Sequence, residues 1–153
     1  MEIFDQKRAA QIWQRVQGTE PQTRPEEGLL ELIARETEDA AIYLSLSRSV
    51  QGRASALLRK LYEQEQTHAA CLKGIYTLTT GKRANVALPK LLPDTPENIL
   101  RRCYGREMRC LARYEQRTSD PEYGQVFQRL AEQERDHCRM ILELLGSLPM
   151  KQK

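Results

Sequence analysis

The stretch LYEQEQTHAACL at residues 61–72 and the stretch LAEQERDHCRMI at residues 130–141 decide how this sequence can fold. Both place a leucine, a Glu-Gln-Glu triplet and a histidine at the same relative positions. The chain contains 2 histidines, and both occur in this frame. A shift of 69 residues superimposes the two stretches, a pattern that is compatible with duplication of one helical unit.

Each stretch has the periodicity of a helix whose apolar face is interrupted by one acid and one imidazole. Glu65 and His68 fall in a row of core-facing apolar residues spaced three and four apart, and Glu134 and His137 interrupt the corresponding row of the second stretch. Residues three apart on a helix are neighbours, so the carboxylate and the imidazole of each pair can reach the same point.

Two further predicted helices carry a single acid in the apolar row. Glu36 lies in one and Glu107 in the other, and each is followed seven residues later by a tyrosine, Tyr43 or Tyr114. In each pair of helices the connecting turn is expected midway along the sequence between the two acids. The two carboxylates of a pair should therefore lie at about the same height.

Glu38 is an alternative to Glu36, because the 69-residue shift pairs Glu38 with Glu107. Glu38 lies two residues, or about 200°, away from the apolar row, and it has no tyrosine seven residues later. We therefore predict that Glu36 faces the core and keep Glu38 as the alternative. Glu63 and Glu132 lie off the rows and are predicted to face solvent.

Four carboxylates and two imidazoles would thus meet in the middle of a helical core. Burial of unpaired carboxylates costs free energy, and clustering them adds repulsion between like charges. No lysine or arginine falls in the middle of the four rows, so two divalent cations are the predicted counter-charge. Carboxylate and imidazole donors suit iron or manganese. The predicted metal ligands are Glu36, Glu65, His68, Glu107, Glu134 and His137.

The breaks between the helices predict an all-α fold. Tight breaks near Gly52 and Asp120 each join two helices into an antiparallel αα-hairpin. The intervening residues 81–95 would reach roughly 50 Å when extended, whereas a helix of about 24 residues is about 36 Å long. The sequence therefore predicts a ferritin-like antiparallel four-helix bundle, in which a long crossover joins two αα-hairpins.

Local signals set the predicted boundaries. An apolar face that includes Trp13 predicts a short N-terminal helix. Thr95 is a candidate N-cap with a proline after it, and Ser119 or Asp120, followed by Pro121, should begin the last helix. The resulting domains are an N-terminal helix and linker at 1–24, the bundle at 25–148 and a tail at 149–153, with bundle helices expected at about 25–50, 52–80, from 95 onward and at about 120–146.

Composition narrows the function classes. Charged residues make up 29% of the chain but the net charge is only +3, which is typical of a solvated surface rather than a nucleic-acid interface. No apolar run is long enough to cross a membrane, and no signal-peptide core follows Met1. We therefore expect a cytoplasmic protein with no nucleic-acid or membrane partner.

The cysteines fit the same compartment. None of the 4 belongs to a Cys-x-x-Cys pair, and all are predicted to be small core residues, with a redox role for Cys103 or Cys110 as the alternative. The set is Cys71, Cys103, Cys110 and Cys138.

The whole pattern resembles the rubrerythrin-like branch of the ferritin-like di-iron proteins, over residues 26 to about 146. The stretches that carry the resemblance are RETEDAAIYLSLS, EQTH, REMRCLARY and ERDH. The resemblance implies that the six predicted ligands bind two iron ions, with Glu65 and Glu134 as bridges. It also implies that Tyr43 and Tyr114 act in catalysis by donating hydrogen bonds to ligand carboxylates.

Two differences separate this sequence from rubrerythrins proper. The rubredoxin domain, with its four-cysteine iron site, has no counterpart among these residues, so an external electron donor is expected. Cys110 stands where the family has an extra glutamate, three residues beyond Glu107. That substitution argues against peroxidase behaviour of the rubrerythrin kind.

The resemblance implies a non-haem di-iron oxidoreductase that reduces peroxide or oxygen, with manganese as the alternative metal and a homodimer as the expected assembly. One alternative is a ferroxidase that passes iron to a store or partner. A second is a non-catalytic bundle that holds a metal only for stability.

Overall fold

The computed structural model describes residue 26 and residues 28–148. These residues form four α-helices and no strand: α1 (Leu29–Ser49), α2 (Gly52–Thr80), α3 (Pro96–Glu115) and α4 (Gly124–Ser147). Helices α1 and α2 pack as one hairpin and α3 and α4 as the other, with fewer contacts between the hairpins. The predicted all-α four-helix bundle is confirmed. The predicted N-terminal helix at 1–24 and the tail at 149–153 lie outside the described residues.

The ends of the long crossover are fixed by local chemistry. Gly81 has φ 72°, a left-handed conformation that favours glycine, and its N–H donates to the Thr77 carbonyl at 2.8 Å. At the other end, Thr95 Oγ1 accepts from the Asn98 N–H at 3.3 Å, and Pro96 takes the first helical position. These signals end α2 and start α3 where the sequence indicates.

The first helix of the bundle begins later than expected, as does the last. Helix α1 starts at Leu29 instead of Pro25, directly after Gly28, whose φ is 79°. Helix α4 starts at Gly124 because Asp120 caps a turn instead of the helix: Asp120 Oδ1 accepts the N–H groups of residues 122 and 123 at 2.9 and 2.8 Å. A Cβ atom on Gly124 would lie 2.4 Å from a carbonyl oxygen of the same turn, so a glycine is required there.

Two apolar layers fill the bundle core. One lies towards the start of α1 and the other towards the start of α2, and the six predicted ligands fall between them along every helix. The first layer comprises Leu29, Leu32, Ile33, Leu72, Ile75, Cys110, Leu111, Tyr114, Phe127, Leu130 and Ala131. The second comprises Tyr43, Leu46, Leu58, Leu61, Leu100, Cys103, Ile141 and Leu144.

The cysteines are free thiols. Cys103, Cys110 and Cys138 are buried, but Cys71 is only half-buried at the edge of the first layer, so the prediction of a core position is wrong for Cys71. None of the described helices combines the length and the apolar character that crossing a membrane would require.

Candidate metal centre

The polar side chains that interrupt the apolar rows all point into the core. All six side chains are buried, and none is more than 1% exposed. Each of the four helices contributes at least one of them. The set is Glu36, Glu65, His68, Glu107, Glu134 and His137.

The structure distinguishes Glu36 from Glu38. Glu36 is buried, whereas Glu38 is only half-buried and forms an ion pair with Arg106 Nη2 at 3.3 Å. Glu63 and Glu132 are exposed. The angular argument from the apolar row therefore agrees with the observed orientation of all four side chains.

One group of ligand atoms surrounds His68. Its Nδ1 lies 2.9 Å from Glu134 Oε1 and 3.6 Å from both Glu36 Oε2 and Glu65 Oε2. One imidazole nitrogen and three carboxylates from three different helices therefore converge at this point.

A second group surrounds His137 in the same manner. Its Nδ1 lies 2.8 Å from Glu65 Oε1, 3.5 Å from Glu107 Oε2 and 3.8 Å from Glu134 Oε2. Glu65 and Glu134 belong to both groups, while Glu36 and Glu107 each belong to one. The two imidazole rings stack with their centroids 5.3 Å apart. The arrangement provides two adjacent sites that share two carboxylates.

Two glutamines orient the imidazoles, each from the other hairpin. His68 Nε2 lies 2.7 Å from Gln133 Oε1, and His137 Nε2 lies 2.7 Å from Gln64 Oε1. An amide oxygen only accepts, so Nε2 of each ring donates, and in a neutral ring this leaves the lone pair of Nδ1 facing the centre. Histidines that bind metals are commonly held by such a hydrogen bond from the second ring nitrogen. Neither glutamine was predicted to have a role, although both occur in the repeated Glu-Gln-Glu triplet.

The two buried tyrosines make reciprocal hydrogen bonds between the hairpins. Tyr43 of α1 donates to Glu107 Oε1 on α3, and Tyr114 of α3 donates to Glu36 Oε1 on α1. Burial and the charge of these glutamates raise the pKa of both phenols well above the usual value. Both tyrosines therefore remain neutral donors that hold the carboxylates in place.

Several buried carboxylate oxygens and one imidazole nitrogen in the centre have no hydrogen-bond partner. The His137 Nδ1 contact with Glu65 Oε1 is short but lacks hydrogen-bond geometry. Buried polar atoms are seldom left unsatisfied, so each such atom calls for a missing partner. The atoms are Glu36 Oε2, Glu65 Oε1, Glu65 Oε2, Glu107 Oε2, Glu134 Oε2 and His137 Nδ1.

Without cations, protons must balance the charge of this cluster. Burial, together with the negative charges of Glu36 and Glu107, raises the pKa of Glu134 well above its usual value. Metal ligands must be deprotonated, so metal binding to this centre would release protons.

A fifth buried carboxylate, Asp39, lies beside the cluster and was not predicted from the sequence. Asp39 is 1% exposed, and its Oδ1 accepts from Arg106 Nε at 2.5 Å. Burial and the charge of Glu107 raise the pKa of Asp39 to about 8 despite this arginine. Its place three residues after Glu36, on the same helix face, was the available signal.

The donor set fits a pair of metal ions. Glu65, His68, Glu134 and His137 each offer one ligand atom, and these atoms lie within 4.8 Å of one another. The unpartnered oxygens and the Nδ1 atoms that face the centre are the ligand atoms that hard to intermediate divalent cations require. A four-helix bundle with carboxylate and imidazole donors in its core defines the class of dimetal carboxylate proteins.

The comparison with protein families agrees with this class. The rubrerythrin family model matches residues 27–145. The chain belongs to the rubrerythrin family. No curated protein and no solved structure matches it.

Proposed function

We propose that the protein is a non-haem di-iron oxidoreductase that reduces peroxide or oxygen at the buried centre and is re-reduced by an external electron donor. The observation that carries the proposal is the set of six unpartnered donor atoms, arranged as two groups that share Glu65 and Glu134. Iron is the metal favoured by family membership, and carboxylate and imidazole donors suit it.

The residues of this chain would divide the work as follows. His68, Glu36 and the two shared glutamates would hold one ion, and His137, Glu107 and the shared glutamates would hold the other. Bound iron would supply the electrons for reduction of the oxidant. Tyr43 and Tyr114 would keep the terminal carboxylates oriented through their hydrogen bonds.

The surrounding core would shield the centre from bulk solvent. The apolar layers above and below the centre exclude water and strengthen the electrostatic interactions inside it. Burial also keeps the two phenols neutral, so both can donate hydrogen bonds throughout the physiological pH range. These residues would supply fixed geometry, and the redox capacity would come from the bound metal.

The direct test loads metal-free protein with ferrous iron under anaerobic conditions and then adds hydrogen peroxide. The proposal predicts rapid oxidation of two iron ions per chain, seen as near-ultraviolet absorption, with the iron retained and peroxide consumed when a reductant is supplied. Release or mineralisation of iron over many turnovers would favour the ferroxidase alternative. Bound iron that does not react would favour the non-catalytic bundle.

A further inference from the structure

The candidate dimetal centre is buried and closed to solvent. All six predicted ligands are 1% exposed or less, and apolar layers cover both ends of the centre. Any oxidant must therefore reach it through a gap between helices.

A cavity of about 760 Å³ lies between α1, the crossover and α3. Ile42 and Ser45 contribute from α1, Leu91 from the crossover, and Ile99 and Cys103 from α3. Helices α1 and α3 make few direct contacts with each other, so the crossover forms the outer wall of this gap. A volume in this range holds a small molecule easily.

The cavity reaches the residues that position the metal ligands. Cys103, 1% exposed, lines the cavity and lies within hydrogen-bonding reach of Tyr43, which donates to Glu107. Arg106 also lines the cavity and holds the buried Asp39. The side chains of Cys103 and Arg106 therefore lie between the cavity and the residues that surround the centre.

A second cavity, of about 630 Å³, lacks this connection. It lies where α2 meets the crossover, and none of its lining residues is buried. Of these two cavities, only the larger extends into the core.

The charges in the larger cavity favour entry of a neutral molecule. Arg102 Nη1 pairs with Asp94 Oδ2 at 2.6 Å, and Arg106 pairs with Asp39 and Glu38. These guanidinium groups are already balanced, and apart from the exposed Lys90 and two serines the remaining wall is apolar. A small uncharged oxidant meets no strong electrostatic barrier there.

We propose that this cavity is the access route by which a small uncharged oxidant, hydrogen peroxide or dioxygen, approaches the dimetal centre. The identity of the oxidant rests on the proposed function. The route itself, from the crossover to Cys103, can be tested without metal.

The test variant is Ser45→Trp. Ser45 is exposed at the rim of the cavity on α1, so a large side chain there can obstruct the cavity without displacing the core. The matched control is Gln128→Trp, at an exposed position of α4 that lines neither cavity. Equal melting temperatures for the two variants would show that the bundle is intact in both.

The first measurement follows modification of thiols in metal-free protein by methyl methanethiosulfonate, with the sites assigned by peptide mass spectrometry. Burial raises the pKa of Cys103 to about 12, so the reaction is run at alkaline pH. We expect Ser45→Trp to slow labelling of Cys103 about tenfold, equivalent to about 1.4 kcal/mol of added barrier. Cys110, equally buried but in the other core layer, should label at an unchanged rate.

The second measurement is the second-order rate constant for hydrogen peroxide with ferrous-loaded protein. Ser45→Trp should lower it about tenfold relative to Gln128→Trp, with iron stoichiometry unchanged. Equal thiol labelling in both variants would overturn the access route, whatever the peroxide result. Slower labelling of Cys103 without any peroxide reaction in the unmodified protein would keep the route and overturn only the proposed function.

Discussion

The difference between shared and terminal carboxylates gives a quantitative prediction. Glu65 lies near both imidazole Nδ1 atoms, whereas Glu36 lies near His68 alone. Glu65→Gln should therefore weaken both metal sites, and Glu36→Gln should weaken one. The exposed neighbour Glu63 supplies the control variant Glu63→Gln on the same helix.

The magnitude follows from linkage between binding and folding. An ion at one hundred times its dissociation constant stabilises the folded chain by about 2.7 kcal/mol per site, or about 5 kcal/mol for two independent sites. At about 3 °C per kcal/mol for a chain of this size, the metal-induced rise in melting temperature should be about 15 °C. Glu36→Gln should retain about half of that rise, and Glu65→Gln should retain almost none.

Calorimetry under anaerobic conditions, with and without ferrous iron, measures these shifts. Each variant is compared with its own metal-free form, so that changes in intrinsic stability cancel. Glu63→Gln should show the full shift. Equal shifts for Glu36→Gln and Glu65→Gln would refute the assignment of Glu65 to both sites.

Three further predictions concern residues around the centre. Tyr43→Phe removes a hydrogen bond to a buried carboxylate and should lower the unfolding free energy in urea by about 1.5–3 kcal/mol. Gln133→Leu removes the acceptor for His68 Nε2 and should weaken metal binding about 10–100-fold in competition with a chelator. Burial raises the pKa of Asp39 from its ordinary value of 3.8 to about 8, so between these pH values the Asp39 carboxyl group keeps a proton in the folded chain that it has lost in the unfolded chain. Asp39 should therefore contribute a loss of about 1.4 kcal/mol of stability per pH unit across this window, and Asp39→Asn should reduce the pH slope of the metal-free protein by that amount in denaturation with chelator present.

Each of these predictions has a contrary outcome. A loss as large in Tyr62→Phe, at a half-buried tyrosine that packs against the second core layer, would contradict the role given to Tyr43. Unchanged metal affinity in Gln133→Leu would show that the glutamine does not orient the imidazole. An unchanged pH slope in Asp39→Asn would assign the proton to another carboxyl group.

Most of the fold could be predicted from the sequence, because the residues that determine the helix boundaries act locally. Gly81, Thr95 and the breaks between apolar rows act within a few residues, and they place the crossover correctly. The start of α4 was wrong because Asp120 can cap either a helix or a turn. The close approach of the turn backbone to Gly124 selects the turn, and that contact is not visible in the pattern.

The candidate metal centre could be predicted only in part. Inward-facing acids interrupt apolar rows, so helical geometry alone brings Glu36 and Glu107 to the core. Gln64 and Gln133 were not recognised because they lie beside the rows and reach across to the other hairpin. Asp39 was missed because the row was followed through Ala40, which shares its side of the helix.

Anomalous scattering at the iron absorption edge from crystals of the purified, iron-loaded protein tests the central claim most directly. We expect two peaks per chain, each beside one imidazole Nδ1 and both in contact with Glu65 and Glu134. A centre without anomalous peaks, or a single peak bound by only one histidine, would contradict it.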